Sequence, residues 1–167
     1  MRDDEWKENY QIEISGNVYD LNHLKDFNKV FQIEISNLMV NLNIHFMFTN
    51  HCFSASEEFS TQHIFKIFDG KKLRYFCPKR YEDSKLIQNV LIDNFTEHNI
   101  YATNNANYLR ILDDFHIYFR CEKKQGKHID VRIETGHYKE EYDKSISRGK
   151  PMKMSFFLKK VYAPRSK

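Results

Sequence analysis

The sequence is poor in the residues that cross-link or punctuate a chain: its 167 residues include three cysteines, three prolines and five glycines. So few glycines and prolines exclude collagen-like and low-complexity chains. Cys52, Cys77 and Cys121 are odd in number and far apart, and the sequence has no CxxC pair. They fit neither a disulfide framework nor a zinc ribbon, so we expect three free thiols.

Long apolar runs are absent as well. No stretch approaches the roughly 18–20 apolar residues that span a bilayer, so we expect no contact with a membrane. Residues 1–8 are mostly charged or polar and lack the apolar region of a signal peptide. We therefore expect a cytoplasmic protein.

The motifs of several enzyme classes are also missing. The glycines are too far apart for a GxGxxG loop or a Walker motif, and no GxSxG elbow occurs. This argues against nucleotide kinases, dehydrogenases and serine esterases. HExxH and the zinc deaminase signature are absent too, so we predict no metal site and no cofactor.

Aromatic residues, by contrast, are abundant: 14 Phe, 10 Tyr and 1 Trp make up 15% of the chain. Each buried ring removes roughly 150–250 Å² from water, so a chain this aromatic is expected to fold around a substantial core. The length fits one domain over residues 1–167. We expect residues 1–9 and 163–167 to be mobile.

Alternation of apolar and polar residues predicts most of the secondary structure. It indicates strands at residues 10–15, 31–35, 38–48, 64–68, 73–76, 115–122, 129–134 and 152–162. Helical spacing of apolar residues predicts one helix over residues 83–97, and residues 108–112 fit either a helix or a strand. The sequence therefore predicts an α+β fold, mainly an antiparallel β-sheet of about seven or eight strands, for which a barrel-like closure is one option.

Positive charge is concentrated near the C-terminus. Residues 139–167 hold nine Lys and Arg against three acidic residues, whereas residues 1–138 hold 17 against 20. Basic residues interleaved with aromatic ones are typical of nucleic-acid surfaces, although a solvated edge strand with a basic tail has the same composition. The basic residues that we predict to contact nucleic acid are Arg74, Lys79, Lys139, Arg148, Lys150, Lys159 and Lys160.

Polar residues that could perform chemistry follow or precede predicted strand ends. His51 follows the long strand, Arg80 and Tyr81 precede the helix, and Glu134 and His137 end another strand. Histidine can transfer a proton, arginine can stabilise phosphate charge, and tyrosine can stack or act as an acid. These five residues are our predicted catalytic set, and they suit cleavage of RNA by attack of its own 2′-OH without a metal.

Four short stretches resemble a family of uncharacterised small bacterial and mobile-element proteins. They are NHCFS at 50–54, RYEDSKL at 80–86, IYFRCEK at 117–123 and RIETGHY at 132–138. The resemblance extends over about residues 40–162 and brings no established activity, so it assigns no catalytic residue. It points to His51, Arg80, Tyr81, Ser84 and Glu134 as the first residues to test. The charge and strand content are also similar to those of small metal-free ribonuclease toxins.

Three functions therefore stay open. The first is a metal-free endoribonuclease, toxin-like or related to phage defence, that acts on single-stranded RNA. The second is a regulatory module that binds a nucleic acid or a protein through exposed aromatic rings. The third is a protein that binds a small nucleotide beside the polar face of Asn37, Asn41, Asn43 and His45. Exposed edge strands also make a homodimer one of the expected partners.

Overall fold

The computed structural model describes residues 1–2, 4–59, 64–93, 95–102, 107–112, 115–138 and 150–163. Its largest element is a sheet of seven strands. In spatial order these strands are β12 (Pro151–Lys153), β8 (Asn99–Ala102), β9 (Asn107–Leu112), β10 (Phe115–Lys123), β11 (His128–Tyr138), β4 (Leu38–Phe48) and β3 (Phe27–Ile35).

Two smaller sheets complete the β structure. One contains β5 (Ser54–Ser56), β7 (Lys72–Phe76) and β6 (Lys66–Asp69), with β7 in the middle. The other is the hairpin of β1 (Gln11–Ile14) and β2 (Asn17–Asp20). A two-residue turn at Gly70 and Lys71, directly after Asp69, joins β6 to β7, and Gly70 has the positive φ, 58°, that glycine adopts without strain.

The long strands form because their side chains alternate between the core and a polar face. In β4 the side chains of Leu42, Ile44, Phe46 and Phe48 are buried, and those between them are partly exposed. In β11 the same alternation buries every second residue from Ile129 to Ile133. This period of two is the pattern that predicted the strands.

One pairing in the large sheet is parallel. β11 runs parallel to β4 in the register Asn43 with His128 through Phe48 with Ile133, whereas the other paired strands are antiparallel. Parallel strands end at the same edge of a sheet, so the residues after Phe48 and those after Ile133 lie next to each other. This pairing brings the segment that carries His51 to the segment that carries Glu134.

The α+β class and the mainly antiparallel pairing are confirmed, but barrel closure is wrong. Within the described residues the sheet is open, with β3 and β12 at its two edges. The described strands number twelve instead of seven or eight. The four additional strands are β2, β5, β8 and β9. The first three have only three or four residues, which are too few to show a period, and β9 is the segment that fitted either a helix or a strand.

The predicted helix is real but has different bounds. It is divided into α1 (Pro78–Ser84), α2 (Ile87–Ile92) and a 3-10 turn at Phe95–Glu97. The helical region begins five residues earlier than residue 83 because Pro78 occupies the first turn, where its fixed φ is favourable and its missing N–H costs nothing. An extended Asp93, with ψ 120°, ends α2.

The strand predicted over residues 152–162 is wrong. Only Pro151–Lys153 is extended, and Met154–Tyr162 forms helix α3. Met154 and Leu158 are both fully buried and lie one helical turn apart, so the helix places both in the core. The apolar residues of 152–162 also fit the alternation of a strand. A segment this short does not distinguish the period of two of a strand from the period of 3.6 of a helix.

The core extends to the start of the chain. A 3-10 turn at Glu5–Lys7 buries Trp6, whose ring packs edge-on against Phe53 at a centroid distance of 5.2 Å. The mobility expected of residues 1–9 stays a prediction. In the other segment expected to be mobile, residues 164–167 lie outside the described residues.

Candidate functional site

A cleft of about 560 Å³ lies on the polar face of the large sheet, where β4, β11 and β10 run side by side. Most of its lining side chains alternate with the buried ones of the same strands. The lining residues are Met47, His51, Asp69, Arg120, Cys121, Glu122, Lys124, Asp130, Arg132 and Glu134. The cleft thus combines a histidine, three cations and four carboxylates.

At one end of the cleft His51 and Asp69 form a hydrogen-bonded pair, which we call the dyad. The Nε2 atom of His51 lies 2.6 Å from Oδ2 of Asp69. An ionised carboxylate only accepts hydrogen bonds, so Nε2 carries the proton and Nδ1 of the neutral ring is left as a proton acceptor. A carboxylate that fixes the tautomer of a histidine in this way is a recurrent arrangement for general bases.

The electrostatic surroundings keep His51 neutral. Burial, reinforced by the positive charge of Arg74, lowers the pKa of His51 below its ordinary value of 6.5. The hydrogen bond and the negative charge of Asp69 act in the opposite direction but do not outweigh these effects. At neutral pH the imidazole is therefore in the form that accepts a proton.

The loop that carries His51, residues 49–54, is anchored to β11 at two points. The hydroxyl of Thr49 donates to the carbonyl of Glu134 at 2.8 Å, and the hydroxyl of Thr135 donates to the carbonyl of His51 at 3.0 Å. A 3-10 turn at Asn50–Cys52, with the side chain of Thr49 accepting from the N–H of His51, shapes the loop. We call it the His51 loop.

Two arginines occupy the middle of the cleft. Arg120 on β10 and Arg132 on β11 face each other across the strands, and both have their Nε atoms near Oε1 of Glu134, at 3.4 and 3.5 Å. One carboxylate thus faces two guanidinium groups, which leaves a local excess of one positive charge. Exposed guanidinium groups in this arrangement suit a phosphate or carboxylate ligand.

The far end of the cleft is acidic. Asp130 and Glu122 are cross-strand neighbours on β11 and β10, and Lys124 approaches both, at 3.6 and 2.8 Å. His45 on β4 lies 3.5 Å from the other oxygen of Asp130. The cleft is therefore bipolar, with excess positive charge in the middle and excess negative charge at this end.

Of the predicted catalytic residues, the structure brings only His51 and Glu134 into the cleft. Arg80 is buried, and its Nη1 atom donates to the carbonyl of Ser54 at 3.2 Å. Tyr81 is buried against the rings of Tyr19 and Phe76. Arg80 and Tyr81 are thus parts of the interior.

His137 is also an interior residue. It is buried on β11, and its ring stacks on that of Tyr118 at a centroid distance of 5.6 Å. It lies at the end of β11, one residue before Tyr138, as the sequence predicted, but its ring is turned into the interior.

The described residues among those predicted to bind nucleic acid lie on several elements of the fold. Arg74 donates from Nε and Nη2 to the hydroxyl and the carbonyl of Ser54, both at 2.8 Å. Lys79 pairs with Asp83 at 2.7 Å. Lys159 and Lys160 lie on α3, Lys150 directly precedes β12, and Lys139 and Arg148 lie outside the described residues. Those that the structure describes are absent from the cleft lining.

The sequence did not identify the other polar residues of the cleft. Asp69 was visible as the first residue of an Asp-Gly turn, and Arg120 and Arg132 were visible on the polar faces of two predicted strands. Their convergence depends on the parallel register of β4 and β11 and on the small sheet lying beside the His51 loop. Neither the parallel register nor the position of the small sheet can be recognised from the sequence.

Among the described parts of the chain no group of three or more His, Cys, Asp or Glu side chains is arranged to hold a metal ion. In that same portion no helix has the length and apolarity needed to cross a bilayer.

The fold and site define an α+β protein with an open sheet whose polar face carries a histidine, a carboxylate partner and paired arginines. The model of the YjaZ family matches residues 11–162, and the chain belongs to that family. The expectation that the chain belongs to an uncharacterised family is thus confirmed, over a longer span than residues 40–162, and an origin in bacteria or mobile elements stays a prediction. No curated protein and no solved structure shows a significant match to the chain.

Proposed function

We propose that the chain is a metal-independent endoribonuclease-like enzyme whose active site is the cleft. The observation that carries this proposal is that the dyad and the arginine pair open on the same cleft. A neutral histidine held by a carboxylate supplies the base, and Arg120 and Arg132 supply positive charge for a phosphate. The proposed active site does not include Arg80, Tyr81 or His137.

The proposed reaction is transesterification within the RNA strand. Nδ1 of His51 takes the proton of the 2′-OH, and the 2′ oxygen attacks the adjacent phosphorus while the bond to the 5′ oxygen breaks. The leaving 5′ oxygen takes a proton from a water molecule, and the hydroxide so formed takes back the proton held by His51. The products are a 2′,3′-cyclic phosphate and a 5′-OH, with the imidazole neutral again. Negative charge that builds on the non-bridging oxygens is stabilised by Arg120 and Arg132.

This chemistry explains why RNA is the proposed substrate and DNA is not, because DNA lacks the attacking hydroxyl. A toxin or phage-defence role, and an origin in bacteria or their mobile elements, would give such an enzyme a cellular RNA as its target. The cellular role and the origin are part of the proposal, and the role depends on the activity.

A second candidate is binding of a small nucleotide in the same cleft. The charge distribution favours it: four carboxylates line the cleft with three cations, so a long polyanion gains little net attraction. In this proposal the phosphate of a mononucleotide binds Arg120 and Arg132, and its base lies toward Asp130 and Glu122. Acidic side chains accept hydrogen bonds from the amino groups of bases.

The two candidates are separated by incubating labelled RNA and DNA with the protein in EDTA. The enzyme predicts RNA cleavage that is lost in His51→Ala and greatly reduced in Asp69→Asn. His98→Ala, which removes a histidine outside the cleft, is the matched control and keeps activity. No RNA cleavage, together with saturable binding of a mononucleotide that Arg132→Gln abolishes, favours the second candidate instead.

A further inference from the structure

Arg74 holds the His51 loop in place from the small sheet. Its guanidinium makes two hydrogen bonds of 2.8 Å to Ser54, one to the hydroxyl and one to the carbonyl. Ser54 in turn donates from its hydroxyl to Oδ1 of Asn50 at 3.1 Å, and both residues are fully buried. This chain of hydrogen bonds ends at Asn50, the residue that directly precedes His51 in the His51 loop.

Arg74 also lies on the strand next to the other half of the dyad. It is on β7, opposite Ile67 of β6, and β6 ends at Asp69. On its other side β7 pairs with β5, in the register Ser54 with Phe76 and Ser56 with Arg74. β7 therefore links the loop that carries His51 to the strand that carries Asp69.

We propose that Arg74 is a positioning residue for the dyad, fixing the His51 loop against the small sheet and setting a permanent positive charge near the imidazole. An arginine keeps its charge at every pH at which the protein is folded, and its planar fork is held by two bonds from one side. The charge disfavours protonation of the ring and selects the form that accepts a proton. This role rests on the proposed function only where it concerns catalysis.

The charged groups that act on His51 come from three elements. Asp69 of β6 and Glu134 of β11 raise the pKa of His51, whereas burial and the charge of Arg74 on β7 lower it. Arg120 and Arg132 line the same cleft and keep their charges in the variants below. Removing the charge of Arg74 leaves the two carboxylates without this opposing effect, so protonation of the ring becomes easier.

The test is an NMR titration of the imidazole of His51, whose signal is assigned by its loss in His51→Ala. In Arg74→Gln, which removes the charge but keeps a donor for Ser54, the midpoint is expected to rise measurably. In Arg74→Lys, which keeps the charge, it stays near the wild-type value. Lys66→Gln, which removes an exposed charge from the neighbouring strand β6, is the matched control and leaves the midpoint unchanged.

An unchanged midpoint in a folded Arg74→Gln variant overturns the proposal, as does an equal rise in Lys66→Gln. If Arg74→Gln does not fold, Arg74→Met and the wild type in high salt supply the same comparison, since both weaken the charge. The titration needs no substrate, so it is independent of whether the protein cleaves RNA. Cleavage by the wild type with no shift in Arg74→Gln contradicts the positioning role alone, and a shift without any cleavage contradicts the enzyme alone.

In an active protein the same substitution has a kinetic signature. The acidic limb of the pH profile of kcat moves to higher pH in Arg74→Gln together with the His51 midpoint, and KM changes little. A purely structural role would lower activity at every pH without moving the limb.

Discussion

Arg120 and Arg132 stand directly opposite each other on neighbouring strands, in one cross-strand pair of β10 and β11. Like charges in such a pair repel, and here Glu134 lies within 3.5 Å of both Nε atoms. The side chain of Glu134 is 18% exposed, whereas those of Arg120 and Arg132 are 65% and 55% exposed. The arginine pair therefore depends on this carboxylate while its guanidinium groups remain accessible to an anion.

Neutralising that carboxylate is expected to destabilise the protein. Glu134→Gln leaves the two guanidinium groups facing each other without compensation, which lowers the free energy of unfolding by about 0.5–1 kcal/mol at low salt. Urea unfolding at low and high salt measures the effect, and the loss shrinks at high salt because the repulsion is screened. Glu82→Gln, which removes a carboxylate from an exposed pair with Lys85, is the control and changes the free energy of unfolding very little. Equal stabilities of Glu134→Gln and the wild type at low salt would show that Glu134 does not compensate the charges of the two arginines.

Gly136 is expected to tolerate no side chain. A Cβ built at this position of β11 would lie 2.6 Å from Cγ1 and 2.7 Å from Cδ1 of Ile87 on α2. Gly136→Ala should therefore lower the free energy of unfolding by about 1–3 kcal/mol through overpacking. Thermal unfolding checks this in a cycle with Ile87→Ala, in whose background the same glycine substitution costs less. A cost that does not depend on residue 87 would mean that the contact is not its source.

Acid is expected to destabilise the protein through two half-buried histidines, His23 and His51. Burial, with a further contribution from Lys85, lowers the pKa of His23 below 6.5, and its Nε2 atom lies 2.7 Å from the hydroxyl of Ser84. The unfolded chain then binds a proton at a higher pH than the folded chain. The stability associated with the neutral ring is present above about pH 6.5 and is lost as the pH falls below that value toward the folded pKa. The lowered pKa of His51 acts with the same sign.

The measurement is the urea midpoint between pH 7 and pH 5, which falls in the wild type and falls less steeply in His23→Gln. His98→Gln, which removes a histidine directly after the 3-10 turn Phe95–Glu97, serves as the control for the loss of one histidine. Identical slopes for His23→Gln and the wild type would remove His23 from this account.

Cys52 is expected to be unreactive in the folded protein. Its side chain is fully buried, and burial raises the pKa of its thiol to about 12. Because the thiolate is the nucleophile, iodoacetamide at pH 8 should leave Cys52 unmodified for as long as the chain is folded and modify it in urea. Peptide mapping by mass spectrometry reads the site directly, and rapid alkylation of Cys52 without denaturant would contradict the buried position.

The strands were predictable where one face is buried along many residues, as in β4 and β11, because alternation then extends over several periods. The helical region was predictable from its apolar spacing, but its start was not, since Pro78 reads equally as the end of a strand and the first turn of a helix. Residues 154–162 satisfy both periods. Burial of Met154 and Leu158 on one helix face decides between them, and that burial depends on the rest of the fold.

The candidate site was predictable only in part for a related reason. His51 and Glu134 were found because polar residues at strand ends are natural candidates. Arg80 was predicted as a catalytic residue because of its charge. The sequence does not show that its guanidinium group is buried and donates a hydrogen bond to the carbonyl of Ser54. The sequence shows an Asp-Gly pair at Asp69, but not that Asp69 lies beside the His51 loop and pairs with His51.

The most direct test of the central claim uses one RNA oligonucleotide and a copy in which every 2′-OH is replaced by 2′-O-methyl, both in EDTA. If His51 removes the proton of the 2′-OH, the wild type cuts only the unmodified strand and leaves 2′,3′-cyclic phosphate ends, and His51→Ala cuts neither. Cleavage of the methylated strand, products without cyclic phosphate ends, or full activity in a folded His51→Ala variant would each contradict it. So would intact RNA with the folded wild type.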